Sequence, residues 1–167
     1  MDGRETASDT GPLITLEKLS DGYRFIRLLY DRIIIPHAVL DELAQGQFTS
    51  PQAYLAHYRI EDLLEVVETR DDPEVPGFEV LDAGERGAIQ VALERALPLL
   101  IEEEAGRQCA RSLGLQISGI AGQVVKAFRA GLIPGSEAED KLRELFSAGR
   151  ISRKIYAALA ATIRQDG

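Results

Sequence analysis

Acidic residues lie in four separated segments of the chain: Asp9, Glu42, Glu85 and the run Glu102-Glu103-Glu104. Three of the four fall where a strand-like segment gives way to a helix-like one, or in the first turns of that helix. Glu42 lies a little deeper in its helix. In an alternating α/β chain such positions converge on the carboxyl edge of a parallel sheet, where ligands bind. Carboxylates gathered there repel one another unless a cation joins them, and hard oxygen ligands suit Mg²⁺ or Mn²⁺. Metal-assisted hydrolysis of a phosphodiester is the chemistry such a cluster serves.

Each acid also has a purely structural role available. Asp9 precedes the Gly11-Pro12 turn, where aspartate is common. Asp82-x-x-Glu85 fits the reciprocal capping arrangement of a helix start. Glu102 to Glu104 suit a helix N-terminus electrostatically, and Glu42 suits a solvated helix face. Other chemistries fare worse. Cys109 is the only cysteine, which excludes an internal disulfide framework and a Cys-rich zinc site. His37 and His57 are not spaced as a ligand pair. Asp9-Thr10-Gly11 resembles an aspartic-protease triplet, but those enzymes need two such aspartates sharing a proton, and no second copy is present. Neither a Walker phosphate loop nor a Gly-x-Gly-x-x-Gly after a strand occurs. Arg107 and Arg111 are candidate phosphate contacts, with solvated helix faces as their plainer role.

The elements that must position these acids alternate. Thr6 to Asp9 reads as a short strand of weak composition. Gly11-Pro12 opens a short amphipathic helix through Leu13, Ile14, Leu16 and Leu19. Tyr23 to Tyr30 reads as a second helix. Ile33-Ile34-Ile35 is wholly apolar and β-branched, the signature of a strand buried on both faces. Pro36 starts a helix running to about Ala44, and Pro51 to Tyr58 is another. Strands are expected at Leu64 to Val67, Leu99 to Ile101 and Leu115 to Ser118. Helices are expected at Asp82 to Ala96, Ala105 to Leu113 and Ala121 to Ala130, with a loop over Asp71 to Gly77. Two further helical segments, Ser136 to Ala148 and Ser152 to Arg164, form a C-terminal hairpin about Gly149. We expect an α/β fold with a central, mostly parallel sheet of four or five strands covered on both faces. Residues 1–134 form its body, and 135–167 a helical extension packed on it as one structural unit.

The chain has 167 residues, suited to one domain, and 45% are hydrophobic, enough for a proper core. Lys and Arg number 19 against 27 Asp and Glu, for a net charge of −8. Such a chain is not a general nucleic-acid binder, because phosphate contacts need cations, so an RNA surface has to be a local basic patch. No apolar run reaches membrane-spanning length, and Met1 to Ala7 lacks the apolar stretch of a signal peptide. The expected location is cytoplasmic.

The motifs, taken in order, resemble one family. Ser8-Asp9-Thr10-Gly11-Pro12-Leu13-Ile14 is similar to the opening motif of an uncharacterised branch of the PIN-domain superfamily, related to VapC-type toxins. Ile34-Ile35-Pro36-x-x-Val39-x-x-Glu42-Leu43 resembles the second motif, and Leu81-Asp82-x-Gly84-Glu85-x-x-Ala88-Ile89 the third. Leu99-Leu100-Ile101 with its following acids, then Gly106-Arg107 and Ala110, resembles the fourth. Gly131-Leu132-Ile133-Pro134 and the closing helices resemble that branch's C-terminal end. The similarity runs from Ser8 to about Ala160.

This resemblance implies a PIN-like three-layer fold and a carboxylate pocket that holds Mg²⁺ or Mn²⁺ and hydrolyses RNA. By position, Asp9 is the principal metal ligand, with Glu42, Glu85 and Glu103 completing the catalytic cluster. Glu102 is the neighbouring candidate ligand, and Ser8 or Thr10 orients Asp9 by a hydrogen bond. Arg107 and Arg111 are candidate RNA contacts. A small antitoxin protein and a second copy of the chain are the implied partners. Two departures stand out. The fourth acid is commonly aspartate in the family, whereas every candidate here is glutamate, and Ser118-Gly119-Ile120-Ala121 supplies no further acid after the last strand. The longer side chain loses more rotamer freedom on ordering, and Mg²⁺ demands near-ideal octahedral geometry. A catalytically weakened PIN-like domain serving as a protein- or RNA-binding module is therefore the alternative.

Overall fold

The computed structural model describes residues 3–72 and 74–167. Met1 and Asp2 of the polar N-terminal stretch, and Pro73 of the expected loop, lie outside the described residues. In chain order the elements are β1 (Glu5–Ser8), α1 (Thr10–Glu17), α2 (Gly22–Ile26), β2 (Arg32–Pro36), α3 (His37–Ala44), α4 (Pro51–Tyr58) and β3 (Leu64–Val67). A 3₁₀ turn (Phe78–Val80) then precedes α5 (Ala83–Arg95), β4 (Leu99–Leu100), α6 (Glu104–Ser112), β5 (Ile117–Ser118), α7 (Ile120–Arg129), α8 (Gly135–Ser147) and α9 (Arg153–Asp166).

Among the described residues the five strands form one all-parallel sheet in the order β3-β2-β1-β4-β5. Each crossover carries at least one helix, so both sheet faces are covered. Ile33 and Ile35 point into one core with Leu13, Phe25, Val39 and Val124, while Ile34 points into the other with Ile89, Leu99 and Ile101. That alternation is the period-2 geometry of a strand buried on both faces. The result is a three-layer α/β fold.

The central strand β1 is the one with the weakest strand composition. Thr6, Ala7 and Ser8 are fully buried there. Their hydroxyls do not go unsatisfied: Thr6 Oγ1 donates to the Pro98 carbonyl at 3.0 Å and Ser8 Oγ to the Asp9 carbonyl at 2.8 Å. Burial of polar side chains is tolerable on those terms.

Three boundaries differ from expectation. Strand β1 ends at Ser8, and Asp9 stands at the N-cap position of α1. The expected helix Tyr23 to Tyr30 is the short α2, followed by tight turns closed by Leu28 N–H to Phe25 O and Leu29 N–H to Ile26 O, which bring the chain round to β2. Strand β5 begins at Ile117 because Leu115 N–H is used to close the end of α6, on the Ala110 carbonyl, after Gly114 takes a left-handed conformation.

The C-terminal hairpin α8–α9 lies on the face that carries α1 and α7. Leu142, Leu145 and Ile163 join that core. The Lys141 side chain, only 4% exposed, reaches Asp21 at 2.6 Å, tying α8 to the start of α2.

Candidate metal centre

Strands β2 and β3 lie to one side of β1, and β4 and β5 to the other. The chain therefore reverses its winding beside β1, and a crevice opens at the carboxyl ends of β1 and β4. Ser8 pairs with Leu100, and Asp9 N–H donates to the Leu100 carbonyl at 2.9 Å, so Asp9 and Glu102 leave the sheet side by side. A cleft of about 400 Å³ sits there, lined by Asp9, Thr10, Glu42, Asp82, Glu102, Glu103 and Arg150.

Asp9 is 5% exposed. Burial is the main cause pushing its carboxyl up to about 7, with the charges of Glu85, Asp82 and Glu42 adding to it against the opposing Thr10 backbone N–H. Glu42 projects from α3, and its Oε2 accepts from the Thr10 hydroxyl at 2.7 Å. The Thr10 hydroxyl thus positions Glu42, while Thr10 reaches Asp9 through its backbone. Ser8 fixes the Asp9 main chain rather than its carboxylate. Burial also raises Glu42, helped by Asp82 and Glu103 and opposed chiefly by the Thr10 hydrogen bond.

Glu85 holds the capping role foreseen for it. Its N–H donates to Asp82 Oδ1 at 2.8 Å and its Oε1 accepts the Asp82 N–H at 3.3 Å, which completes the capping box. Its other oxygen, Oε2, is buried and has no hydrogen-bond partner among the described residues. Burial foremost, then Asp82 and Glu103, lift this carboxyl to about 7, against the Asp82 N–H. Glu103 caps α6. One carboxylate oxygen each of Asp82, Glu85 and Glu103 lie within 4.8 Å of one another.

Glu102 differs from the other acids of the cleft in its partners. Its Oε1 accepts from Thr15 Oγ1 at 2.6 Å and its Oε2 from Ile120 N–H at 2.9 Å, with Arg150 at 3.7 Å. Both oxygens are thus engaged by the protein. Arg107 and Arg111 lie outside the acidic cleft, in an adjoining one. Arg107 Nη1 donates to the Ile101 carbonyl at 2.9 Å.

Two residues of the site carried no chemical signal in the sequence. Asp82 read as a helix cap alone; the nearness of Glu85 in a capping box also brings Asp82 to the cleft. Arg150 follows Gly149 in the turn between α8 and α9. Its Nε donates to Thr15 Oγ1 at 2.8 Å and its Nη2 to the Gly11 carbonyl at 3.2 Å. Only folding of the hairpin brings it there, 139 residues from Gly11.

The donor set fits a hard divalent ion. Trans oxygens around Mg²⁺ stand about 4.2 Å apart, twice the ~2.1 Å metal–oxygen distance, and the acidic triad meets that scale. The orphaned Glu85 Oε2 is the kind of buried polar atom that wants a partner. Asp82, Glu85 and Glu103 would hold the ion beside Asp9.

A family model described as PIN domain matches residues 5–165. No protein of curated function matches the chain.

Proposed function

Since the chain belongs to the PIN-domain family over nearly its whole length, a nuclease fold generally dependent on divalent metal, we propose that it is a Mg²⁺- or Mn²⁺-dependent endoribonuclease. The observation that carries this reading is the acidic triad of Asp82, Glu85 and Glu103, with the unpartnered Glu85 Oε2, next to buried Asp9. A divalent ion bound there would activate water and neutralise charge on the scissile phosphate. Asp9, Asp82, Glu85 and Glu103 would hold that ion. Glu42, held by Thr10, faces the cleft from α3 and orients water on the open side. Arg150 is the one cation lining the acidic cleft among the described residues, and it offsets the charge of the entering phosphate.

The test is cleavage of structured and unstructured RNAs with Mn²⁺ and with Mg²⁺, comparing wild type with Asp9→Asn and with EDTA controls. Metal-dependent cleavage by wild type alone is expected. Equal cleavage by both proteins would remove the chemistry from this cleft.

A second reading has its own observation. Glu102 is engaged by Thr15 and Ile120, and Ser118-Gly119 supplies no acid beyond β5. A site so reduced suits a binding module that has lost turnover. Calorimetric titration with Mn²⁺ separates the two: stoichiometric binding lost in Asp9→Asn favours the enzyme, and its absence in wild type favours the module.

The likeness of the ordered motifs to VapC-type toxins supports a finer role. The chain is the toxin-like half of a pair, restrained by a small antitoxin and self-associating as a homodimer. Growth arrest on expression of wild type but not Asp9→Asn is expected, and a monomer by sedimentation at micromolar concentration would remove the homodimer.

A further inference from the structure

The acidic cleft continues sideways into a second cleft of about 520 Å³, and Glu102 and Arg150 line both. The second one has a different character. Arg107 and Arg111 of α6 stand on one side, and Ile151, Ile155 and Leu159, leading into α9, on the other. With Arg150 these make three cations, in a chain whose overall charge is −8. Of the two acids lining this cleft, Glu102 is engaged by Thr15 and Ile120 and stands 3.7 Å from Arg150, with which it pairs. The other, Glu104, comes no closer than 4.0 Å to the Arg111 side chain, which is 52% exposed. A pair so open to water is weak, so the Arg111 guanidinium is available to an anion. Ile155 is one of the few large apolar residues left exposed, at 47%.

We propose that this second cleft is the groove for single-stranded RNA flanking the cut site, with Arg111 and Arg150 on successive phosphates and Ile155 against the face of a base. The assignment rests on the ribonuclease reading above. Charge complementarity favours it, because a phosphate chain needs a row of cations. Continuity favours it as well, since one strand can run from the carboxylate site, past Arg150, to Arg111. The apolar wall selects a single strand: an unstacked base offers a flat face to cover, whereas an A-form duplex presents backbone and a shallow groove. An acidic protein segment would satisfy the arginines but not the run of the groove into a metal-binding carboxylate cluster.

Binding is measured by fluorescence anisotropy of a labelled RNA oligomer and its duplex, in an Asp9→Asn background that prevents cleavage. Arg111→Glu is expected to weaken single-strand binding about tenfold or more and to flatten the log–log salt dependence by about 0.7 for a lost phosphate contact. Ile155→Ser is expected to weaken the single strand about tenfold and the duplex little. Arg95→Glu makes the same charge change at the far end of α5, away from the carboxyl edge. It is expected to alter affinity by less than about twofold, because distant exposed charges are screened. Parent-like RNA affinity in both groove variants would overturn the assignment and leave the cleft to a protein. An equal loss with Arg95→Glu would also overturn it, as a general charge effect. Metal-dependent RNA cleavage by the chain with Asp9 restored separates the levels. Cleavage with no groove effect sinks the groove alone; neither cleavage nor RNA binding sinks both readings. Unchanged melting of the variants certifies the fold, both residues being exposed.

Discussion

At the scale of single residues, the site is a set of carboxylates kept from ionising freely. Asp9 and Glu85 are both lifted to about 7, first by burial and then by neighbouring acids. The sign of the consequence is fixed. A carboxyl whose folded pKa lies above its unfolded value lets the native state hold a proton that the unfolded chain has released. Stability from that source is complete below about pH 4 and is lost as the pH climbs to about 7. For Asp9 alone the loss is on the order of a few kcal/mol, at about 1.4 kcal/mol per pH unit. The metal-free protein should therefore melt roughly 5 °C or more lower at pH 8 than at pH 5. Asp9→Asn should flatten that slope while abolishing cleavage, and Mn²⁺ should reverse it, because metal binding displaces those protons and strengthens as the pH rises. Melting curves at several pH values, with EDTA and with Mn²⁺, check all three; a melting point that rises from pH 5 to pH 8 without metal would refute the charge crowding. These residues were unequally legible in the sequence. Asp9 and Glu103 stand out because each follows a strand end, Glu85 because it lies in the first turn of its helix, and Glu42 because its helix follows the Ile33-Ile34-Ile35 strand. Asp82 is hidden behind its capping role, and the hydrogen bonds that Glu102 accepts from Thr15, 87 residues away, and Ile120, 18 residues away, have no local signal.

Elements place these groups through close approach. Helix α5 presents Gly84 to Glu42, and α6 presents Gly106 to Glu85. A methyl at Gly84 would lie 2.6 Å from Glu42 Oε1, the far end of a flexible side chain. A methyl at Gly106 would lie 2.6 Å from Ile101 Cδ1, confined in the core, and 2.7 Å from Oε2 of Glu85, which its capping box holds in place. The two substitutions should therefore part company. Gly84→Ala gains helix propensity of up to about 1 kcal/mol and should melt near wild type, yet lose activity as Glu42 is pushed off Thr10. Gly106→Ala overpacks a confined site, typically at about 1–3 kcal/mol, and should lower both melting temperature and Mn²⁺ affinity. Thermal melts beside metal titration distinguish them, and parallel losses in both variants would contradict this account. The helices and strands themselves were legible where one local signal dominated: the Ile33-Ile34-Ile35 run, and the Asp82/Glu85 box that opens α5. They were not where tertiary hydrogen bonds decide. Leu115 has strand composition but its N–H closes α6, and α2 stops early because the chain must turn into β2.

For the whole molecule, the strand order is what turns scattered acids into one site, and no local signal carries it. Winding outward from β1 in both directions leaves a crevice only beside β1, where Asp9 and the acids after β4 meet. The C-terminal hairpin then completes the crevice by sending Arg150 back to Thr15 and Gly11. The sequence suggests a body of 1–134 with an extension packed on it as one structural unit, and the burial of that extension predicts that it is indispensable. Leu142, Leu145 and Ile163 are at most 3% exposed and share a core with Leu13, Phe25 and Val124. Each such side chain contributes about 1.5–3 kcal/mol when buried. Three together rival the net stability of about 5–15 kcal/mol that a typical domain possesses. Truncation to 1–134 removes them, removes the near-buried Lys141–Asp21 contact and uncovers the apolar surface of α1 and α7 beneath. That fragment is expected to lose cooperative unfolding, to bind a hydrophobic dye and to lose Mn²⁺-dependent cleavage, as measured by calorimetry and the RNA assay. A sharp calorimetric transition in the fragment, with metal binding retained, would instead make the hairpin an accessory. Arg150 would then be the only part of it that the chemistry needs, and an otherwise intact chain carrying Arg150→Ala should reproduce the fragment's loss of cleavage without its loss of stability.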